Sequence, residues 1–478
     1  MKLSATVLLL AAIACLTGCS KPAAVRQSDL LPDIYPDYAD VTIPYNIAPL
    51  HFLVRNNPSA TEILLRDGDK SIRIKGRDRF RISIKRWRRL LSEAKGRSIS
   101  VEVKARFGGE WVSYKPFRWH ISEQAADPFI TYRLIEPGYE VWNHISLCRR
   151  NITNFGERTF ADNNLTDRAC INCHIPANQD PRLSFFHIRG KNGGTLLNRD
   201  GRLSRFELRM PQSDLSPTYG ALHPGGRYAV FSANRVVPAF HTTAQTMLEV
   251  YDQQSELAIV DFDEASISPL PLDSSASGAA VLPTFPTFSP DGSRIYFCAA
   301  EAMPLPDSIR SMRYILCSTG FDAASGTADG RIDTLLDLRP EGLSISFPRI
   351  SPDGRFLLYC TSAYGTFPIW HRETDLRMLN LQSGEAPDIS AANSPYSDTW
   401  HSWSSEGRWI AFASKRDDGL YGKVYLCHID PEGNASKAFV LPQRNPGFYD
   451  NTLKSFNLPE FIRAPLPFSA ADVERALR

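Results

Sequence analysis

Four copies of one short pattern constrain this chain more than anything else in it. His223-Pro224-Gly225-Gly226-Arg227 leads into Tyr228-Ala229-Val230-Phe231-Ser232, and Ser289-Pro290-Asp291-Gly292-Ser293-Arg294 leads into Ile295-Tyr296-Phe297-Cys298. Ser351-Pro352-Asp353-Gly354-Arg355 precedes Phe356-Leu357-Leu358-Tyr359-Cys360, and Ser404-Ser405-Glu406-Gly407-Arg408 precedes Trp409-Ile410-Ala411-Phe412-Ala413. Each copy reads as a strand, a tight turn that needs the positive φ of glycine, and a buried strand. A polar-ended third strand follows, as in Asp375-Leu376-Arg377-Met378-Leu379-Asn380-Leu381 before the turn at Ser383-Gly384. Small sheets of this kind cannot bury both faces alone, so the repeat predicts blades packed face to face around an axis, a β-propeller. The turn glycines Gly226, Gly292, Gly354 and Gly407 stand 66, 62 and 53 residues apart, which leaves room for inserted loops.

The repeat resembles the TolB-like propeller motif from about Ser216 to Leu441, within a repeat region taken as residues 213–460. Residues 128–212 add strand candidates at Thr131–Ile135, Ile145–Cys148 and Phe185–Ile188, and if these form two further blades the ring has six, with five or seven as the alternatives. Ahead of these, residues 40–125 alternate apolar with polar, as in Ile72-Arg73-Ile74-Lys75 and Ile99-Ser100-Val101-Glu102-Val103. Period two predicts half-buried strands, with one or two helical turns over Arg86 to Ala94, and a small antiparallel β-sandwich follows. The fold expected is all-β: an N-terminal sandwich, then a TolB-like propeller of six blades bearing the loop described next, with residues 461–478 as a C-terminal tail.

Cys170-Ile171-Asn172-Cys173-His174 is the haem c attachment signature, in which two thiols add across the vinyl groups and the adjacent histidine ligates the iron. Structural zinc wants four ligands and no second pair exists, and a thioredoxin-type pair wants a βαβ setting that these surroundings lack. A plain local disulfide is the remaining reading of the two cysteines. Pro137 to Trp142, Phe186-His187-Ile188, Phe240-His241-Thr242, Ile369-Trp370-His371 and His401-Ser402-Trp403 flank the motif. With it they resemble a group of Bacteroidota envelope lipoproteins that join haem c to TolB-like repeats. The sixth iron ligand is expected at His187 or His241, ahead of Met210 and of His223, which occupies the repeat turn.

The N-terminus carries a short basic start, an apolar run over Val7 to Leu16 and then Leu16-Thr17-Gly18-Cys19, which resembles the bacterial lipobox. Residues 1–18 are thus expected to be a signal peptide, Cys19 the lipidated first residue, and 19–39 a tether. Export to the periplasm-facing envelope follows, with Ser20 after the cysteine favouring the outer membrane. Cys148, Cys298, Cys317, Cys360 and Cys427 are single residues in apolar runs, an odd number that argues for buried thiols rather than a disulfide framework.

The chain balances at +2, yet Lys70 to Arg118 holds sixteen Lys or Arg against four acids, so the sandwich is basic and the rest acidic. Outside the cytoplasm nucleic acid is not an expected partner, and a solvated face, or contact with anionic headgroups or an acidic protein, remains. The first functional reading is a monohaem electron-transfer or redox-responsive module that docks a periplasmic protein. A TolB-like scaffold with structural haem, and a haem peroxidase or gas sensor with an open sixth position, are the rivals. No Gly-x-Ser-x-Gly elbow and no paired metal-binding histidines support a hydrolase.

Overall fold

The computed structural model describes residues 25–137, 143–166, 168–189, 193–211, 213–241, 248–273 and 281–478, apart from the side chain of Cys173. The lipobox and Cys19 therefore lie outside the described residues. Of the described residues half are strand and 9% helix, so the all-β expectation holds.

The N-terminal unit packs a seven-stranded sheet against a three-stranded one. Aromatic rings join them: within the smaller sheet Phe52 stacks on Phe80 at 4.9 Å, and Trp119 of the larger sheet meets Phe80 at 5.8 Å and Trp87 at 5.4 Å. Trp87 belongs to the helix Ile84–Glu93, whose Trp87, Leu90 and Leu91 point inward at helical spacing while Lys85, Arg86, Arg88 and Arg89 face water. Ser83 caps that helix by accepting a hydrogen bond from the Arg86 N–H. The stretch expected as a tether is already part of this unit from Val25. Val25–Gln27 runs parallel to Glu110–Ser113, and Ile34–Tyr35 pairs with Phe52–Val54. Val25–Gln27 and Ile34–Tyr35 are three and two residues long with Pro32 between them, too short for period two to show.

Six antiparallel sheets follow. The second begins at Ile171–Ala177, the third at Ser216–Leu222, the fourth at Val281–Phe288, the fifth at Ser344–Ile350 and the sixth at Asp398–Trp403. The first sheet is built from both ends of the chain: Ser455–Ile462 pairs antiparallel with Phe129–Glu136, to which His144–Asn151 and Glu157–Asp162 add outward. Each leading strand packs on the leading strand of the next sheet, and Ser455–Ile462 touches both Asp398–Trp403 and Ile171–Ala177, so the order returns to its start. The tail goes on to a helix, Ala470–Leu477, and buries Leu466, Phe468 and Val473 against the first two sheets.

The repeat turns are built as their sequence demands. In three copies the leading serine hydroxyl accepts from a backbone N–H five residues on, with Ser351 Oγ 2.9 Å from Phe356 N as the example. His223 takes the serine's place, and its Nδ1 accepts from Gly225 N at 3.0 Å. Gly292 has φ +78°, and a Cβ there would sit 2.1 Å from His223 Nε2, so both backbone conformation and space require glycine.

Sandwich and sheets share one continuous core that runs from Val41 and Trp119 to Trp409 and Phe439. Asp127 accepts from the backbone and hydroxyl of Ser405 at 2.7 Å each, and Arg150 of the first sheet donates to Pro442 O, just beyond the sixth, at 2.8 Å. The five cysteines expected as buried thiols are buried and free.

Candidate functional site

Five of the six leading strands carry the same irregularity. Two residues oppose one on the neighbouring strand: Phe285-Pro286, Phe347-Pro348, Trp400-His401, Leu458-Pro459 and Cys173-His174. Ser216–Leu222 slips at Thr218 instead. These are β-bulges, which turn side chains off the pleat and bend the strand. Phe285, Phe347, Trp400 and Leu458 each have φ between 49° and 54°, a conformation that costs a bulky residue roughly 1–3 kcal/mol. The return is convergence. A small cavity of about 30 Å³ is lined by His174, Tyr219, Phe285, Phe347, Trp400 and Leu458, one residue from every leading strand. Tyr219 meets Phe285 at 4.4 Å, Phe285 meets Phe347 at 5.7 Å and Phe347 meets Trp400 at 4.7 Å, which together make an aromatic plug.

Above the plug opens a cavity of about 630 Å³, within the range of about 300–1,000 Å³ usual for ligand clefts. Tyr219, Trp400 and Leu458 are common to both cavities, so the plug is the floor of the larger one. Cys170 and Asn172 lie on its wall, and an arm of the third sheet supplies Val236, Pro238, Phe240, Leu248 and Val250. That arm exists because Tyr228–Phe240 and Leu248–Asp261 are 13 and 14 residues long, about twice the other strands of these sheets, with alternate side chains turned inward. Phe240 and Trp370 on the same walls are 56% and 36% exposed, an arrangement suited to an apolar ligand.

The motif sits at the junction of the two cavities. Arg189 N–H donates to Cys170 O at 2.9 Å and Arg133 Nη1 lies 4.0 Å from Cys170 Sγ. Arg133, Arg168 and Arg189 all line the large cavity, and none makes an ion pair among the described residues. His174 is buried with no hydrogen bond on either ring nitrogen, although the backbone of Thr131 and Leu458 lies near. Burial lowers it to about 3, with the Arg133 charge adding to the fall. His401 fills the same bulge position in the sixth sheet and is also lowered to about 3 by burial, but its Nε2 is 3.0 Å from Leu358 O and its Nδ1 3.7 Å from Cys360 Sγ. The two histidines share a placement, and of the two, among the described residues, only His401 has a ring nitrogen at full hydrogen-bond distance from a partner, His174 having only the nearby backbone of Thr131 and Leu458.

The expected sixth ligands are placed elsewhere. His187 pairs in register with Asn172 one strand further out, its Nδ1 is 3.0 Å from Thr195 Oγ1, and it is not on the large cavity's wall. His241 follows the wall residue Phe240, but its Nε2 lies 3.0 Å from Glu249 Oε2. Met210 packs against Leu215 and Ala233, and His223 is a turn residue. The plug residues were missed from sequence, although a signal exists: Thr284-Phe285-Pro286-Thr287, Ser346-Phe347-Pro348-Arg349, Asn457-Leu458-Pro459-Glu460 and Thr399-Trp400-His401-Ser402 align with Asn172-Cys173-His174-Ile175. Among the described residues no helix is long and apolar enough to cross a membrane.

No known protein family matches the sequence, and no curated protein does. Solved structures with similar backbone include a Mycobacterium tuberculosis puromycin-hydrolyzing peptidase, 16% identical, covering 57% of this chain and 41% of that one at a TM-score of 0.33. An oligogalacturonate lyase in complex with manganese is 13% identical over 64% and 84% of the two chains, at a TM-score of 0.31. A DUF4784 family protein from Bacteroides caccae is 10% identical over 77% and 98%, at a TM-score of 0.30. The chain spans about two fifths of the length of the peptidase.

Proposed function

We propose that this chain is a lipid-anchored bacterial envelope protein whose six sheets are the blades of a TolB-like β-propeller, with one covalent haem c at the mouth of the central channel. Its role is one-electron transfer, or a redox response, with a protein partner in the periplasm. The observation that carries the reading is the pairing of Cys170, on the wall of a large aromatic cavity, with a buried His174 that has no partner beside the floor of that cavity.

The residues fit the group. Cys170 and Cys173 would hold it by thioether bonds and His174 would be its axial ligand, as the order of the motif requires. When bound, haem supplies a one-electron iron couple whose potential is set by axial ligands, burial and nearby charge. The protein's own contribution is legible. Burial keeps the His174 imidazole neutral, so a ring nitrogen offers a lone pair at any pH well above 3. Phe285, Phe347 and Trp400 close the channel beneath and exclude water from that side. Arg133, Arg168 and Arg189, which make no ion pair among the described residues, place positive charge on the wall, which favours the reduced, less positive centre.

Expression with a cytochrome c maturation system tests this directly. The denatured band should keep haem-dependent peroxidase staining, and Cys170→Ala/Cys173→Ala should lose it. An unstained wild-type band would end the haem reading.

A further inference from the structure

The large cavity has a wall contributed by the fifth and sixth sheets, made of Phe367, Ile369, Trp370, Lys415 and Leu420. Lys415 is the group there that carries a nitrogen able to lose a proton. Its Nζ donates to Ile369 O at 2.9 Å and stands 4.8 Å from the centroid of the Trp370 ring. No Asp or Glu among the described residues is within ion-pair distance of it. Lys423, eight residues on, shows the contrast: it is 3% exposed and its Nζ sits 2.6 Å from Asp417 and 3.9 Å from Asp418. Lys415 is half-buried, and its ammonium meets one carbonyl and one ring face where Lys423 meets two carboxylates. Burial accordingly lowers Lys415 to about 8, against the opposing pull of Asp418.

The rest of the described wall offers no rival. It holds no histidine and no methionine, its arginines cannot deprotonate, and Tyr219 stacks in the plug beside His174, on the floor side. We propose that Lys415 is the second protein ligand of the haem iron, beside His174. The assignment rests on the haem reading above. Once it had given one proton to solvent, the Lys415 amine would offer its lone pair to the iron and keep hydrogens for the bond to Ile369 O.

The test compares wild type, Lys415→Ala and Lys415→Arg, each matured with haem, by denaturing-gel haem stain and by ferric electron paramagnetic resonance with near-infrared spectroscopy. Wild type should be low-spin with a histidine–amine signature, and both variants should become high-spin while keeping full stain. Arginine preserves charge and hydrogen bonding but cannot ligate. It therefore separates an iron ligand from a residue that merely pairs with a haem carboxylate. A stained Lys415→Arg protein with the wild-type spectrum would overturn the ligand assignment alone, as would a bis-histidine or histidine–methionine signature in wild type. An unstained wild type would overturn the haem reading and this assignment together.

Discussion

His174 and His401 occupy the same bulge position on two leading strands, and replacing each with leucine should move stability in opposite directions. The comparison belongs in the Cys170→Ala/Cys173→Ala background, where no covalent haem contributes. His174 buries two ring nitrogens without partners, and an unmet buried polar group costs about 1–3 kcal/mol. Leucine removes that cost while filling a similar volume, so His174→Leu should gain roughly 1–3 kcal/mol. His401 instead loses its contacts to Leu358 O and Cys360 Sγ, and His401→Leu should lose roughly 1–3 kcal/mol. The gap between the two, roughly 2–6 kcal/mol, is the quantity to measure, from urea unfolding followed by tryptophan fluorescence. Equal destabilisation by both would show that His174 is an ordinary structural residue, and the argument that it is kept for a ligand would fall.

The same background carries a pH signature: His174 is held at about 3, below the ordinary imidazole value, so the unfolded chain binds the extra proton and stability falls as pH drops through the window from about 6.5 to about 3. His174→Leu should reduce that slope by about 1.4 kcal/mol per pH unit near pH 5, and an unchanged slope would refute the burial argument. Glu460 lies 3.0 Å from Arg349, yet burial outweighs the pairing and raises the carboxyl to about 7. Because the folded value is the higher one, stability falls as pH rises towards 7, and the cost of Glu460→Gln should shrink by roughly 3 kcal/mol between pH 4.5 and 8; urea midpoints at the two pH values check it. Removing residues 455–478 deletes the strand that pairs with Phe129–Glu136 and strips Phe456, Phe461 and Ile462 from the core, so the truncated chain should be protease-sensitive and lack a cooperative melt. A wild-type melting curve would show instead that the first sheet stands without its C-terminal strand.

What could be read along the chain was local chemistry. The turns at Gly226, Gly292, Gly354 and Gly407 were legible because a left-handed φ selects glycine within four residues. The helix at Ile84–Glu93 was legible because Trp87, Leu90 and Leu91 fall on one side of it. Cys170-Ile171-Asn172-Cys173-His174 stood out because five adjacent residues spell one known chemistry, and the haem proposed for it starts from that local pattern. The tertiary structure decided what depends on residues far apart. Thr131 meets Glu460 across 329 positions, and nothing in the pattern around either says that they share a sheet. The expectation for the sixth ligand went to His187 and His241 because an aromatic neighbour marks burial. Burial alone does not distinguish a satisfied imidazole from a free one. That difference lies with the partner atom, Thr195 Oγ1 for His187 and Glu249 Oε2 for His241, and only the fold brings those atoms within reach. Lys415 had no signal at all in sequence. Its environment is made by Ile369 and Trp370, which lie 46 and 45 positions away in another sheet, and desolvation is a property of that enclosure rather than of the residue.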